Sequence, residues 1–346
     1  MDSPPPLGVQ VKRRPMRLVL GAILIALTAS EAFASEHALI VFGASGGAEY
    51  QAKYDAWRGT LAATLEEQYG YPRERITVLA ENEEAPRKPT RENVRAAFAR
   101  LRTNVRPDDV VLVLLIGHGT AVEGPEGGDG KFNLVGPDLT AAEWADLIAP
   151  VPGRIVFVNA ASGSFPFLEK IARRGRIVLT ATDTAVQQYE TVFPEYFIQA
   201  LGDAAADGDK NGRVSVWEAF RYGSSRVKAW FEERGQLATE RPLLDDNGDG
   251  IGREAELEPT GAPPPAPAAG ADGRLAEATY LQSGPAIPAT ADAELKTLLT
   301  RRAELQSRID LLRAAKGSMP QDEYDAQLEQ SLLEMAKIDQ QIRARK

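Results

Sequence analysis

Between Asp207 and Glu218 the chain spaces oxygen-bearing side chains as a hard cation requires. In Asp207-Gly-Asp209-Lys-Asn211-Gly212-Arg213-Val214-Ser215-Val-Trp-Glu218, side-chain oxygens stand at the first, third, fifth and ninth places. Glu218 closes the loop with a carboxylate able to bind through both oxygens. Gly212 supplies the sharp turn, Arg213 offers its backbone carbonyl, and Val214 can pair or pack inward. The ion that suits this donor set is Ca2+. Asp245-Asp-Asn247-Gly-Asp249-Gly250 opens a second loop of the same kind. There Gly252 replaces the apolar position, no clear apolar helix follows, and Glu256 is the residue that could close it. A calcium loop and an Asx-rich turn are equal readings of this second stretch. A long helical pattern and a proline-containing segment separate the loops, which points to structural calcium and not to a paired sensor.

A different chemistry is available where two apolar runs end. DDVVLVLLIGHGT closes on His118 between two glycines, and GRIVFVNAASGSF closes on Asn159, Ala160, Ala161, Ser162 and Gly163. Unbroken Val, Ile and Leu bounded by glycine and small polar residues suits strands buried on both faces of a parallel sheet. Functional groups in such sheets gather just beyond the carboxyl ends of the strands. One end here offers an imidazole. The other offers alanine, then Ser162 and Ser164, and the whole chain contains no cysteine.

The elements that must carry these residues follow an α/β rhythm. Strands are expected from His37 into a glycine-rich turn ending at Gly47, at 75–80, in the run that ends at His118, at 154–159 and at 176–182, alternating with helical patterns at 50–69, 92–101 and after Thr140. Thr140 and Glu143 have the spacing of a capping box. Further helices at 193–201 and 216–234 flank the first cation loop in an EF-hand-like arrangement. Such alternation predicts a parallel sheet with helices on both faces.

A strand closing on Gly-His-Gly, then a later strand closing on Asn-Ala-Ala-Ser-Gly-Ser, resembles the caspase and legumain clan of cysteine peptidases, with the flavour of bacterial legumain-like proteins. The resemblance covers residues 36 to 255. It implies a caspase-like three-layer α/β/α sandwich with a mainly parallel sheet. It also implies that His118 matches the dyad histidine and Ala161 the position of the nucleophilic cysteine. A methyl group cannot attack a carbonyl, so the covalent step of that chemistry is lost. The implied function is a pseudopeptidase serving as a binding or assembly module. The alternative is an active hydrolase pairing His118 with Ser162 or Ser164, although neighbouring residues on an extended turn point in different directions.

Lys12, Arg13, Arg14 and Arg17 precede an apolar stretch from Leu18 to Ala29, and Ala32-Phe33-Ala34 then offers a small-residue cleavage site before Ser35. These are the parts of a secretory leader over residues 1–34, with an apolar core too short to span a bilayer comfortably. A periplasmic or secreted bacterial protein is expected, with no membrane attachment after cleavage. The absence of cysteine fits export without disulfides. Net charge is −9 over 346 residues with no basic cluster, which argues against nucleic acid as a partner. A protein or peptide partner is expected instead. Residues 35–258 read as the α/β domain and 259–290 as a Pro/Ala/Gly-rich linker. Residues 291–346 read as a coiled-coil-like helical hairpin. Its apolar seam runs through Leu295, Leu298, Leu305, Ile309 and Leu312, and then Tyr324, Leu328, Leu332, Met335 and Ile342. Docking on its own domain and assembly into a homo-oligomer are both open to that hairpin.

Overall fold

The computed structural model describes residues 34–122, 129–255, 271–282, 292–317 and 319–345. The leader expected over residues 1–34 lies outside these, apart from Ala34. The element order opens with β1 (Glu36–Phe42), α1 (Ala48–Ala63), β2 (Ile76–Leu79), α2 (Arg91–Asn104) and β3 (Val110–Ile116). It continues with β4 (Gly119–Val122), β5 (Asp129–Phe132), β6 (Leu139–Thr140), α3 (Ala141–Ile148), β7 (Arg154–Asn159), α4 (Phe165–Ile171) and β8 (Ile177–Thr180). The remaining elements are α5 (Phe193–Gly202), α6 (Val216–Glu233), β9 (Leu243–Asp245), α7 (Arg274–Glu277), α8 (Ala293–Ala315) and α9 (Gln321–Arg343).

The main sheet has the order β2-β1-β3-β7-β8-β9, parallel throughout except for the antiparallel edge strand β9. Its strands bury both faces, with period-two alternation between them. Ala38, Ile40, Phe42, Leu112, Leu114 and Ile116 join one core cluster with Tyr54 of α1, Phe193 of α5 and Phe220 of α6. Leu39, Val41, Val111, Val113 and Leu115 join the other with Phe98 of α2, Trp144 of α3 and Phe167 of α4. The result is an α/β/α sandwich with a mainly parallel sheet, consistent with the caspase-like architecture, followed by a helical hairpin.

Local chemistry fixes two of the helix starts. Thr140 and Glu143 form a complete capping box at α3, and Ser215 and Glu218 form another at α6. The first helix continues beyond Ala63 as a π-helical turn, Thr64–Gln68.

Two features depart from the sequence expectation. The short antiparallel sheet β4-β5-β6 and the edge strand β9 carry too few residues to show a period. Residues 271–282, inside the stretch read as a linker from its composition, pack against the α/β body. Asp246 Oδ1 and Oδ2 accept from the N–H groups of Gly273 (2.9 Å) and Ala276 (2.7 Å), and the Tyr71 hydroxyl donates to Leu281 O at 2.8 Å. Long-range polar anchors of this kind leave no local signature.

In the hairpin, Leu305, Ile309, Met335, Ile338 and Ile342 form the seam with Leu295, Leu298 and Leu328 against it. Leu332, placed in the seam by sequence spacing, is exposed, as is Leu333. Arg301 reaches Glu334 and Arg302 reaches Asp339 across the seam, each at 2.7 Å.

Candidate functional site

The ends of β3 and β7 lie side by side through their parallel pairing, and the segments beyond them touch at Gly119, which has no side chain. A Cβ at Gly119 would collide with the carbonyl oxygen of Ser162, and the Gly119 N–H donates to Ser162 Oγ at 3.2 Å. The structure therefore brings the Gly-His-Gly segment and the Ala-Ser-Gly turn into direct contact.

His118 is half-buried and carefully oriented. Its Nε2 lies 3.1 Å from Ser45 O and 3.4 Å from the Tyr54 hydroxyl, and the Tyr50 ring meets it edge-on at 4.8 Å between centroids. A carbonyl only accepts, so in the contact with Ser45 O the donor is Nε2–H. An oriented imidazole is one part of a nucleophile–base pair.

The nucleophile's part is missing. Ala161 is fully buried, and its methyl belongs to the cluster on the α2, α3 and α4 side of the sheet. His118 packs against Tyr54 on the opposite side, the side that holds Ala160. Period-two alternation separates the methyl of Ala161 from the imidazole. Ser162 is 2% exposed, and its Oγ accepts the Gly119 N–H. Ser164 Oγ accepts from Ala181 N (3.0 Å) and Thr182 N (3.1 Å) and contacts Thr182 Oγ1, so that hydroxyl ties α4 to the end of β8. Among the described residues, no hydrogen bond joins His118 to either serine.

The loop after β8 completes this corner. Gly163 has φ +57°, and a Cβ there would press on Ala185 O. In the same loop Val186 and Tyr189 are largely exposed, whereas Gln187 is 6% exposed with neither amide atom hydrogen-bonded. Buried amides are ordinarily paired, so Gln187 is an exception that calls for a role. Nothing in the sequence singled it out.

The first cation loop sits between α5 and α6, far from the strand ends in sequence. Oxygens of Asp207, Asp209 and Glu218 lie within 4.8 Å of one another, and the cluster is partly buried. Backbone donors shape the loop: Asp207 accepts from Asn211 N and Gly212 N, and Glu218 Oε1 accepts from Gly208 N at 2.8 Å. Glu218 Oε2 closes the capping box on Ser215. Gly212 takes φ +85°, the left-handed conformation that its place in the loop requires. These carboxylates can hold a metal ion, and their oxygens are the hard donors that a hard cation prefers.

Two loop residues reach outward. Asn211 donates to the Tyr280 hydroxyl at 3.1 Å, and the Arg213 guanidinium stacks 3.8 Å from the Tyr280 ring. Arg213 also donates to Gln282 O (2.5 Å) and to Ser307 Oγ of α8 (2.7 Å). Ser215 and Tyr280 form a β-bridge. The loop is thus joined to the 271–282 segment and to the hairpin. Burial, then Asp310, pushes the Tyr280 hydroxyl up to about 12.

The second loop is built differently. Asp245 accepts from Gly248 N and Gly250 N, while Asp249 accepts from Ile251 N and from Asn247 Nδ2. Burial pushes the Asp245 carboxyl up to about 6 against these donors, with Asp272 and Asp249 adding to it. Among the described residues, its acidic oxygens do not converge as those of the first loop do. Glu256, the residue that could close it, lies outside the described residues.

No family model matches the chain. Over 95 residues it is 40% identical to metacaspase-4 of Arabidopsis thaliana, a stretch covering 25% of this chain and 23% of that protein. The chain therefore spans under a quarter of that relative's length, and the likeness supports a caspase-like protein at that coarse level. A solved structure, protein GSU0716 of Geobacter sulfurreducens, is 12% identical with a TM-score of 0.40, covering 61% of this chain and 92% of that one.

Proposed function

We propose that this chain is an exported caspase-like peptidase homologue that no longer cleaves, and that it works as a calcium-stabilised binding or assembly module. One observation carries the reading: the alanine at the cysteine-matching position turns its methyl into the core on the side away from His118. Covalent catalysis needs a nucleophile within hydrogen-bond reach of its base, and no such partner stands there. The serines offer no substitute, because Ser164 is saturated by backbone donors and Ser162 is buried against Gly119.

What remains at the strand ends suits recognition of an extended peptide. Exposed Val186 and Tyr189 offer apolar surface to such a peptide, on a loop whose inner side holds the buried Gln187 amide. Calcium bound by Asp207, Asp209, Asn211, Ser215, Glu218 and the Arg213 carbonyl would brace α5 against α6 and hold the Arg213 contact to the hairpin. The hairpin, with Leu332 and Leu333 exposed on α9, is the part available for assembly with a second copy.

Peptide binding without cleavage is the test. A fluorescent peptide library is titrated against the calcium-loaded protein, and bound peptides are then weighed by mass spectrometry. Saturable binding is expected, weakened at least 5-fold by Tyr189→Ala, with every peptide recovered intact. Recovery of cleaved peptide, or binding indifferent to Tyr189→Ala, overturns the proposal.

A further inference from the structure

We infer that the Ala34–Ser35 bond is a maturation site, and that the α-ammonium freed at Ser35 is received by a carboxylate already in place, that of Asp109. Small residues at Ala32 and Ala34 mark the bond in sequence. The structure adds what lies on its far side. Ala34 is exposed and Ser35 is 8% exposed, so burial begins at the residue that would become the new terminus. The Ser35 nitrogen donates to Asp109 Oδ1 at 2.8 Å, and Ser35 O accepts from Val110 N at 3.0 Å. Asp109 is 1% exposed, and its Oδ2 accepts the Arg106 N–H at 2.9 Å.

Cleavage places charge where that carboxylate waits. Water adds across the Ala34 C–Ser35 N bond, the hydroxyl going to carbon and the hydrogen to nitrogen. The new carboxyl then passes its proton to the amine, so a carboxylate leaves with the leader and an ammonium stays. The reaction needs a peptidase that accepts small residues on the acyl side and no other reactant.

The surroundings favour an ionised Asp109. Burial pushes its carboxyl up, but the N–H donors of Arg106 and Ser35 outweigh that and hold it below the usual range. Burial pushes His37 down, so the imidazole 3.4 Å from Asp109 Oδ2 adds no positive charge near neutral pH. The Arg106 guanidinium, 3.2 Å from Asp109 Oδ1 and 2.9 Å from Ser35 Oγ, is a competing cation. Arg75 acts on His37, Arg154 faces Asp108, and Glu36 follows on β1. A terminal ammonium and a guanidinium can share one carboxylate through its two oxygens.

The full chain is produced in a bacterium with an export route, and the exported protein is weighed intact. The expected terminus is Ser35, and any other terminus overturns the assignment. Chains beginning at Ser35 and at Ala34 are then compared, since the second keeps the Ser35 nitrogen as an amide. The Ser35-initiated chain is expected to have the higher melting temperature at pH 7. An amine whose pKa is raised by folding contributes stability below its unfolded value of about 8, and loses it as pH rises through the folded value. The gap between the two chains therefore closes toward pH 10. Asp109→Asn lowers both chains through the lost Arg106 contact, and it removes the difference between them. Parallel melting curves at every pH, or a gap that survives Asp109→Asn, overturn the proposal.

Discussion

At the scale of single residues, Gly119 and Ala161 decide what the strand ends can do. Gly119 is the point of contact between the two ends, and a methyl there strikes the Ser162 carbonyl, which is backbone and cannot swing away. Gly119→Ala is expected to cost about 2 kcal/mol or more in chemical denaturation, as overpacking against a rigid neighbour does. A loss under about 0.5 kcal/mol would show that Gly119 does not approach the Ser162 carbonyl this closely. The sequence displayed both ends plainly, as apolar runs stopped by glycine and small residues. It did not display which way Ala161 points. That depends on the phase of a period-two strand, set by pairing with β3 and β8, and a one-residue change of phase moves a side chain to the other face. Gln187 was illegible for a related reason: an unpaired amide is a property of its surroundings and not of its sequence neighbours.

Among the elements, the loop between α5 and α6 was the most legible, because its ligands and turn glycine lie within one short stretch. Its convergent oxygens and the capping box at Ser215 follow from local spacing alone. Asp207→Ala removes a carboxylate from the cluster. Calorimetry is expected to show calcium heat for the unaltered protein and none for the variant, with calcium raising the melting temperature of the first only. Absence of heat in both would remove calcium from the account. What the loop's spacing could not reveal was its outer neighbour. Arg213 crosses to Tyr280 and Ser307, residues distant in sequence that follow a Pro- and Ala-rich stretch. The hairpin was legible as two apolar repeats, although Leu332 shows that a spacing rule does not choose between seam and surface.

Across the whole molecule, Glu240 joins regions that the chain visits far apart. Its carboxylate accepts the N–H groups of Val192 and Phe193 at 2.8 Å each, at the start of α5. Burial nonetheless pushes its pKa up to about 7. A carboxyl raised above its unfolded value near 4.5 holds its proton in the folded state over that interval, so stability falls as pH rises from about 4.5 to 7. Glu240→Gln is expected to flatten this slope by about 1–3 kcal/mol relative to the unaltered protein. An unchanged slope would show that Glu240 stays ionised. The sandwich, its parallel sheet and its closing hairpin were readable from the alternation of strand and helix patterns. The short sheet β4-β5-β6 and β9 were not, since strands this short are fixed by their neighbours and not by their own pattern. This scaffold holds an oriented imidazole with no nucleophile to serve, and a peptidase turnover assay decides the point. The calcium-loaded protein and its Ala161→Cys variant are incubated with peptides carrying Asn, Asp, Arg or Lys before the scissile bond. No turnover is expected from either, because a thiol at that position enters the core away from His118. Cleavage by either protein that disappears on His118→Ala would contradict it.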